Sequence, residues 1–144
     1  MSIFQDAILR FGRTIMSYAG DALFLQASVS AAANVIVADG DVAEEEVEAA
    51  IVGIRANPIL EKSYDTLRVE QELYEAISRA KTRAGRIENL RAAGAIAGRP
   101  IEQRQDVFLI AADVADLGGI SEVEHKALDE IANALEVEKS ALLR

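Results

Sequence analysis

The chain has 144 residues, 51% of them hydrophobic, and no cysteine, so it is long enough to bury a core and offers neither disulfides nor thiolate ligands for zinc. Its net charge of −9 at pH 7 argues against nucleic acid as a partner, because basic contacts to phosphate supply most of the affinity in such complexes. No apolar run predicts a membrane span, and the first residues lack the pattern of a signal peptide. We expect one soluble domain over residues 1–144.

Helix is the only regular structure that the apolar spacing predicts, since apolar residues recur every three or four positions. Helices are expected over residues 3–18, 22–38 and 43–56, followed by a short helical turn to Lys62, by three further helices separated by Gly85 and Gly98, by a helix over 122–135 and by a turn over 140–142. The predicted fold class is therefore all-α, a compact bundle of seven to nine helices.

The apolar faces indicate how these helices pack. The helix over residues 22–38, capped by Asp21, is apolar nearly all round and belongs at the centre of the bundle. Three other helices each show one apolar face. These faces are Phe4, Ile8, Phe11 and Ile15; Leu67, Leu73, Tyr74 and Ile77, after a cap at Asp65 or Ser63; and Val107, Phe108, Ile110, Ala111 and Val114.

Two stretches of the chain share one pattern, residues 37–46 and residues 114–124. In each, an apolar helix ends in Ala-Asp, a glycine turn and one aliphatic residue follow, and a new helix opens with glutamate in its first turn (Glu46, Glu124). The second copy has one extra residue, so that Asp116 stands one place earlier than Asp39 relative to its turn. The pattern predicts a pseudo-repeated helix-loop-helix.

Helix capping explains part of this pattern without any function. Ser121 and Glu124 have the spacing of a capping box, and Asp41 is a candidate cap for the helix over residues 43–56. Five carboxylates within residues 39–46 exceed what capping requires, and calcium or magnesium favours such clustered oxygens. The spacing is not that of an EF-hand, so a solvated, capped turn and a metal site both remain open.

The same two turns resemble the TerB family of tellurite-resistance proteins and the related helical domain of membrane-anchored J-domain chaperones. That pattern, Ala-x-x-Asp-Gly-x-aliphatic-Ser-x-x-Glu, occurs twice in those proteins. Residues 39–46 match the first copy without its serine, whereas residues 118–124 keep the serine and glutamate but have Leu117 in place of the aspartate. The Met-Ser-x-Phe start and the closing Ile-Ala-x-x-Leu helix (Ile131 to Leu135) extend the similarity over nearly the whole chain.

The resemblance implies a cytoplasmic stress-response protein, peripheral to the inner face of the membrane and associated with tellurite resistance. The residues themselves predict no enzyme, because a single histidine without cysteine offers no zinc site or catalytic triad and no glycine loop for phosphate follows a strand. The resemblance also implies an integral membrane partner, TerC, and chelation of a divalent, calcium-like metal ion by acids of the two turns. The candidate metal ligands are Asp39, Asp41, Glu44, Glu46, Asp116 and Glu124.

The stretch from residue 79 to residue 104 has the opposite charge, with seven bases and two acids. Its basic residues either complement helix dipoles in a solvated surface or form an anion- or partner-binding face. The candidates for such a face are Arg79, Lys81, Arg83, Arg86 and Arg91. Separate acidic and basic surfaces also allow self-association, and a metal-independent interaction module is the alternative function. The single histidine, His125, is expected on the surface.

Overall fold

The structure, a computed structural model, describes residues 21–143. Within that range the backbone forms eight α-helices and no strand, as the all-α prediction requires. The helices are α1 (Ala22–Ile36), α2 (Glu44–Ala56), α3 (Pro58–Ser63), α4 (Thr66–Ala80), α5 (Arg83–Gly94), α6 (Ile101–Ala115), α7 (Glu122–Leu135) and α8 (Lys139–Leu142), with a 3-10 turn at Asp116–Gly118. The helix predicted over residues 3–18, with its face of Phe4, Ile8, Phe11 and Ile15, lies outside the described residues.

The central helix is α1, as its apolar sequence predicted. Every residue from Phe24 to Ile36 except Gln26 is buried, and α1 packs against α4, α5 and α6. Phe24 of α1 and Phe108 of α6 are the largest side chains buried completely. Burial of such side chains contributes roughly 1.5–3 kcal/mol each to folding. The core therefore forms around α1 and α6, the helices that precede the two repeated turns.

The predicted cap at Asp21 is present and also fixes the start of α6. The Asp21 carboxylate accepts a hydrogen bond from the backbone N–H of Phe24 at 3.1 Å and two from the guanidinium of Arg99. The hydrogen bonds from Arg99 hold the pKa of Asp21 below its usual value, against the opposing effect of burial. One carboxylate thus ties the beginning of α1 to the residue that precedes Pro100 and α6.

Three polar side chains meet inside the bundle where α1, α4 and α5 pack. The amide nitrogen of Asn89 donates to Asn34 Oδ1 and to the carbonyl oxygen of Ala76, both at 3.0 Å, and Asn89 Oδ1 accepts from Arg79 Nε at 3.0 Å. Asn34 in turn donates to the carbonyl oxygen of Arg86 at 3.1 Å. Because buried polar groups are costly when unpaired, this network holds α5 in one position against α1.

Two of the four residues predicted to face the core from α4 are exposed. Leu73 and Ile77 are buried, but Leu67 and Tyr74 are 62% and 54% exposed. The buried face also includes Val69, Ala76 and Ala80. At about 100° per residue, Leu67 and Tyr74 lie roughly 120° and 100° around the helix axis from Leu73, outside the buried face. Small residues, not Leu67 and Tyr74, complete the face that α4 turns to the core.

Gly85 does not separate two helices, contrary to the prediction. The break falls at residues 81 and 82, and Gly85 lies in the first turn of α5, where its N–H donates to the capping hydroxyl of Thr82 at 3.0 Å. A Cβ at Gly85 would lie 1.7 Å from the carbonyl oxygen of Arg79. Glycine is needed here for the close approach of α5 to the end of α4.

Candidate acidic site at the two turns

Both repeated turns contain a glycine with a positive φ. Gly40 has φ +92° in the turn between α1 and α2, and Gly119 has φ +89° in the turn between α6 and α7. A side chain at either position would be strained, which favours glycine. Each turn thus reverses the chain tightly and brings its acids to the start of the next helix.

The two turns differ in how they cap the helices that follow. Ser121 and Glu124 form the predicted capping box, in which Glu124 N donates to Ser121 Oγ at 3.3 Å and Ser121 N donates to Glu124 Oε1 at 2.9 Å. The predicted cap at Asp41 is wrong, because Ala43 is the residue that precedes α2 and makes no side-chain cap. Instead, Asp41 N donates to Asp39 Oδ1 at 3.3 Å. The first turn leaves its helix amides without a carboxylate cap.

Glu46 is the most perturbed acid of the described chain. The residue is half-buried, but its Oε2 is fully buried and has no hydrogen-bond partner. Among residues 21–143, Ser30 Oγ is the one other buried side-chain atom in this condition. Burial raises the pKa of Glu46 to about 7, with further contributions from the negative charges of Asp39, Glu124 and Glu45.

Three of the six candidate ligands, Asp39, Glu46 and Glu124, thus come close enough for the charges of Asp39 and Glu124 to act on Glu46. Glu124 is almost completely buried and Glu46 is half-buried, whereas the other four candidates are exposed (Asp39, Asp41, Glu44 and Asp116). Across residues 21–143, no three acidic or histidine side chains lie close enough to hold a metal ion as they stand. The arrangement is a group of mutually repelling carboxylates around one buried oxygen.

The candidate basic face is divided between two environments. Arg79 is half-buried and donates to Asn89 within the bundle, so it serves the packing of α4 and α5. Lys81, Arg83 and Arg91 are exposed, and Arg86 is half-buried beside a cavity. His125 is exposed, as expected.

No helix within residues 21–143 has the length and apolar character needed to cross a membrane. Comparison of the chain with models of protein families, with curated proteins and with solved structures gives no match. The resemblance to TerB proteins therefore depends on the residues of the two turns and stays a prediction.

Proposed function

We propose that this protein is a non-enzymatic, TerB-like stress-response protein whose two acidic turns bind a divalent, calcium-like cation. The observation that supports the proposal most directly is the buried, unpartnered Oε2 of Glu46, next to the charges of Asp39 and Glu124. A carboxylate in that position is stabilised either by a proton or by a cation. Above pH 7 the proton is lost, and a divalent ion is the natural replacement.

The ligands fit the chemistry of calcium better than that of zinc. All of them are carboxylates, and calcium accepts six to eight oxygen atoms in variable geometry. Glu46 and Asp39 supply the first oxygens, and Glu124 has one oxygen left because its other oxygen accepts from Ser121. Asp41 and Glu44 are exposed and lie within two residues of Asp39 and Glu46, and the exposed Asp116 belongs to the second turn; these three can complete the coordination.

The described carboxylates do not lie at ligand distances from one common point. Binding must therefore draw exposed side chains together, which lowers the apparent affinity in proportion to the population of the competent arrangement. A weak site of this kind favours calcium, with its flexible coordination, over magnesium, which demands near-ideal octahedral geometry.

The proposal extends to partners through the resemblance alone. A TerB-like protein docks on a TerC-like integral membrane protein at the cytoplasmic face of the inner membrane, and the bound cation would reduce the charge of the acidic turns during docking. The alternative function is an interaction module that uses its acidic and basic surfaces without metal, and that also associates with itself.

Calorimetric titration with calcium, manganese and zinc tests the cation site, and thermal unfolding at increasing calcium provides a second measurement. A real site raises the unfolding temperature in a concentration-dependent way, because ligand binding stabilises the folded state by RT ln(1 + [L]/Kd). Asp39→Asn should weaken calcium binding roughly tenfold, as expected for the loss of one charged ligand. Glu48→Gln, an exposed acid on the same helix as Glu46, is the matched control and should change binding less than twofold.

No heat and no thermal shift with any of these ions would contradict the proposal and leave the metal-independent module. Equal weakening in Asp39→Asn and Glu48→Gln would also contradict it, because the effect would then follow net charge and not a defined site.

A further inference from the structure

A cavity of about 310 Å³ lies where α5 packs against α7. Arg83 and Arg86 of α5 line one side of it, and Lys126 of α7 lines the other. Lys126 is the single base among residues 106–138, a segment with nine acids. The cavity is therefore lined by basic side chains from two parts of the chain that are distant in sequence, although the chain as a whole is acidic.

These three cations lack acidic partners within the described chain. The ion pairs of residues 21–143 are Arg68–Glu72, Arg99–Asp21 and Lys139–Asp129, and none of them includes a base of the cavity. One carboxylate, Glu130, also lines the cavity. Three positive charges and one negative charge give the cavity a net charge of +2. This charge matches a dianion.

Arg86 is held in position before any ligand arrives. Its Nη1 donates to the carbonyl oxygen of Ala80 at 2.9 Å, and its own carbonyl oxygen accepts from the buried Asn34 at 3.1 Å. A guanidinium carries five N–H donors, so others are left for a ligand. Fixing a side chain in advance lowers the entropy cost of binding.

Apart from Asn34, the rest of the lining is apolar. Ile87, which is 52% exposed, lies in the cavity with Leu90 and Ala127. A volume of about 310 Å³ is at the lower end of the range for small-molecule sites. The cavity has room for one charged group with a short apolar body.

We propose that this cavity binds the phosphate group of a phosphate monoester. Such a group is close to dianionic at neutral pH, since its second pKa is about 6, and its oxygens match the fork of N–H donors of arginine. The same chemistry is available from a soluble metabolite or from the headgroup of phosphatidic acid. The proposal is independent of the cation site, because it uses none of the acids of the turns.

Calorimetric titration at low salt with phenyl phosphate, which combines the dianion with a compact apolar body, tests the site. Phenyl phosphate should bind more tightly than inorganic phosphate, and Arg83→Gln and Lys126→Gln should each weaken binding roughly fivefold or more. Lys81→Gln is the matched control, because Lys81 is exposed close to Arg83 but does not line the cavity. It should change the affinity less than twofold. All three positions are exposed, so circular dichroism and thermal unfolding should show intact folds.

Sedimentation with phosphatidylcholine vesicles, with and without phosphatidic acid, distinguishes the two sources of phosphate. Binding to phosphatidic acid that is lost in Lys126→Gln identifies a lipid headgroup; binding of phenyl phosphate without vesicle binding identifies a soluble ligand. Absence of both, or equal weakening by all three substitutions, would overturn the proposal.

Discussion

Glu46→Gln should stabilise the protein above pH 7, although it removes a native side chain. The substitution keeps the shape of the side chain and removes the charge that burial and the neighbouring acids oppose. A pKa raised from 4.5 to about 7 corresponds to at most ~3.4 kcal/mol of destabilisation when the group is charged. Because the residue is half-buried and partly screened by solvent, we expect roughly 1–2 kcal/mol.

The dependence on pH has a definite sign. With its pKa raised, folded Glu46 holds a proton that the unfolded chain releases between pH 4.5 and about 7. The folded state therefore binds more protons in this window, and the contribution of Glu46 to stability falls as the pH rises. The stability advantage of Glu46→Gln should be near zero below pH 4.5 and reach its full value above pH 7.

Urea denaturation followed by circular dichroism at pH 4.5, 6 and 8, with a chelator present, measures this difference directly. Glu48→Gln is the control and should show no comparable change with pH, since Glu48 is exposed on the same helix. A stability difference for Glu46→Gln that stays constant from pH 4.5 to 8, or a loss of stability at pH 8, would refute the reasoning.

Four further substitutions test the packing and capping of the helices by the same urea measurement, at pH 7 except where another pH is stated. Gly85→Ala should cost roughly 3 kcal/mol or more, because its Cβ would lie 1.7 Å from the backbone oxygen of Arg79. Gly53→Ala, whose Cβ would meet a side chain at 3.5 Å, should stabilise by up to ~1 kcal/mol; equal effects at the two glycines would contradict this account. Asn89→Ala should cost roughly 2–4 kcal/mol by leaving buried partners on α1 and α4 unpaired, and a cost below ~1 kcal/mol would mean that the network contributes little. Asp21→Asn should cost ~1 kcal/mol. That difference should disappear as the pH falls below the lowered pKa of Asp21, whereas a loss independent of pH would point to capping alone.

The sequence predicts those parts of the fold that depend on nearby residues. Helix α7 begins and ends at Glu122 and Leu135, as predicted, because the Ser121 capping box is a local signal. Gly40 in the first turn is likewise a local signal. The central position of α1 follows from its apolar composition, since a helix apolar on all sides must be surrounded.

The errors concern residues whose burial or backbone contacts are set by a neighbouring helix. Leu67 and Tyr74 look like core residues by type, but α4 turns its smaller residues toward the bundle. Gly85 is a typical helix breaker in sequence, yet here it permits the contact with the carbonyl oxygen of Arg79. The buried face of α4 and the contact at Gly85 both depend on how the helices pack, which the sequence of a single helix does not specify.

The candidate site, like the fold, was predictable only in part. The repeated turns and their acids could be read from the chain, but the special position of Glu46 depends on burial. Val47 and Ala50, the first buried residues of α2, place Glu46 at the edge of the inner face, and this helix period is the one signal that could have indicated it. That Lys126 lies across a cavity from Arg83 has no signal in the sequence, because it follows from the packing of α5 on α7.

The polar network around Asn89 has a consequence for the choice among folds. Bundles of short helices rich in alanine can pack in several ways with similar burial, since small side chains specify few shapes. Rotating α5 about its axis by one residue, or exchanging it with another helix, would leave Asn34 without its hydrogen-bond partner in the most apolar helix of the bundle. The amide pair therefore raises the free energy of alternative helix arrangements relative to the native one. A variant with leucine at both positions is expected to gain stability but to lose a unique native state.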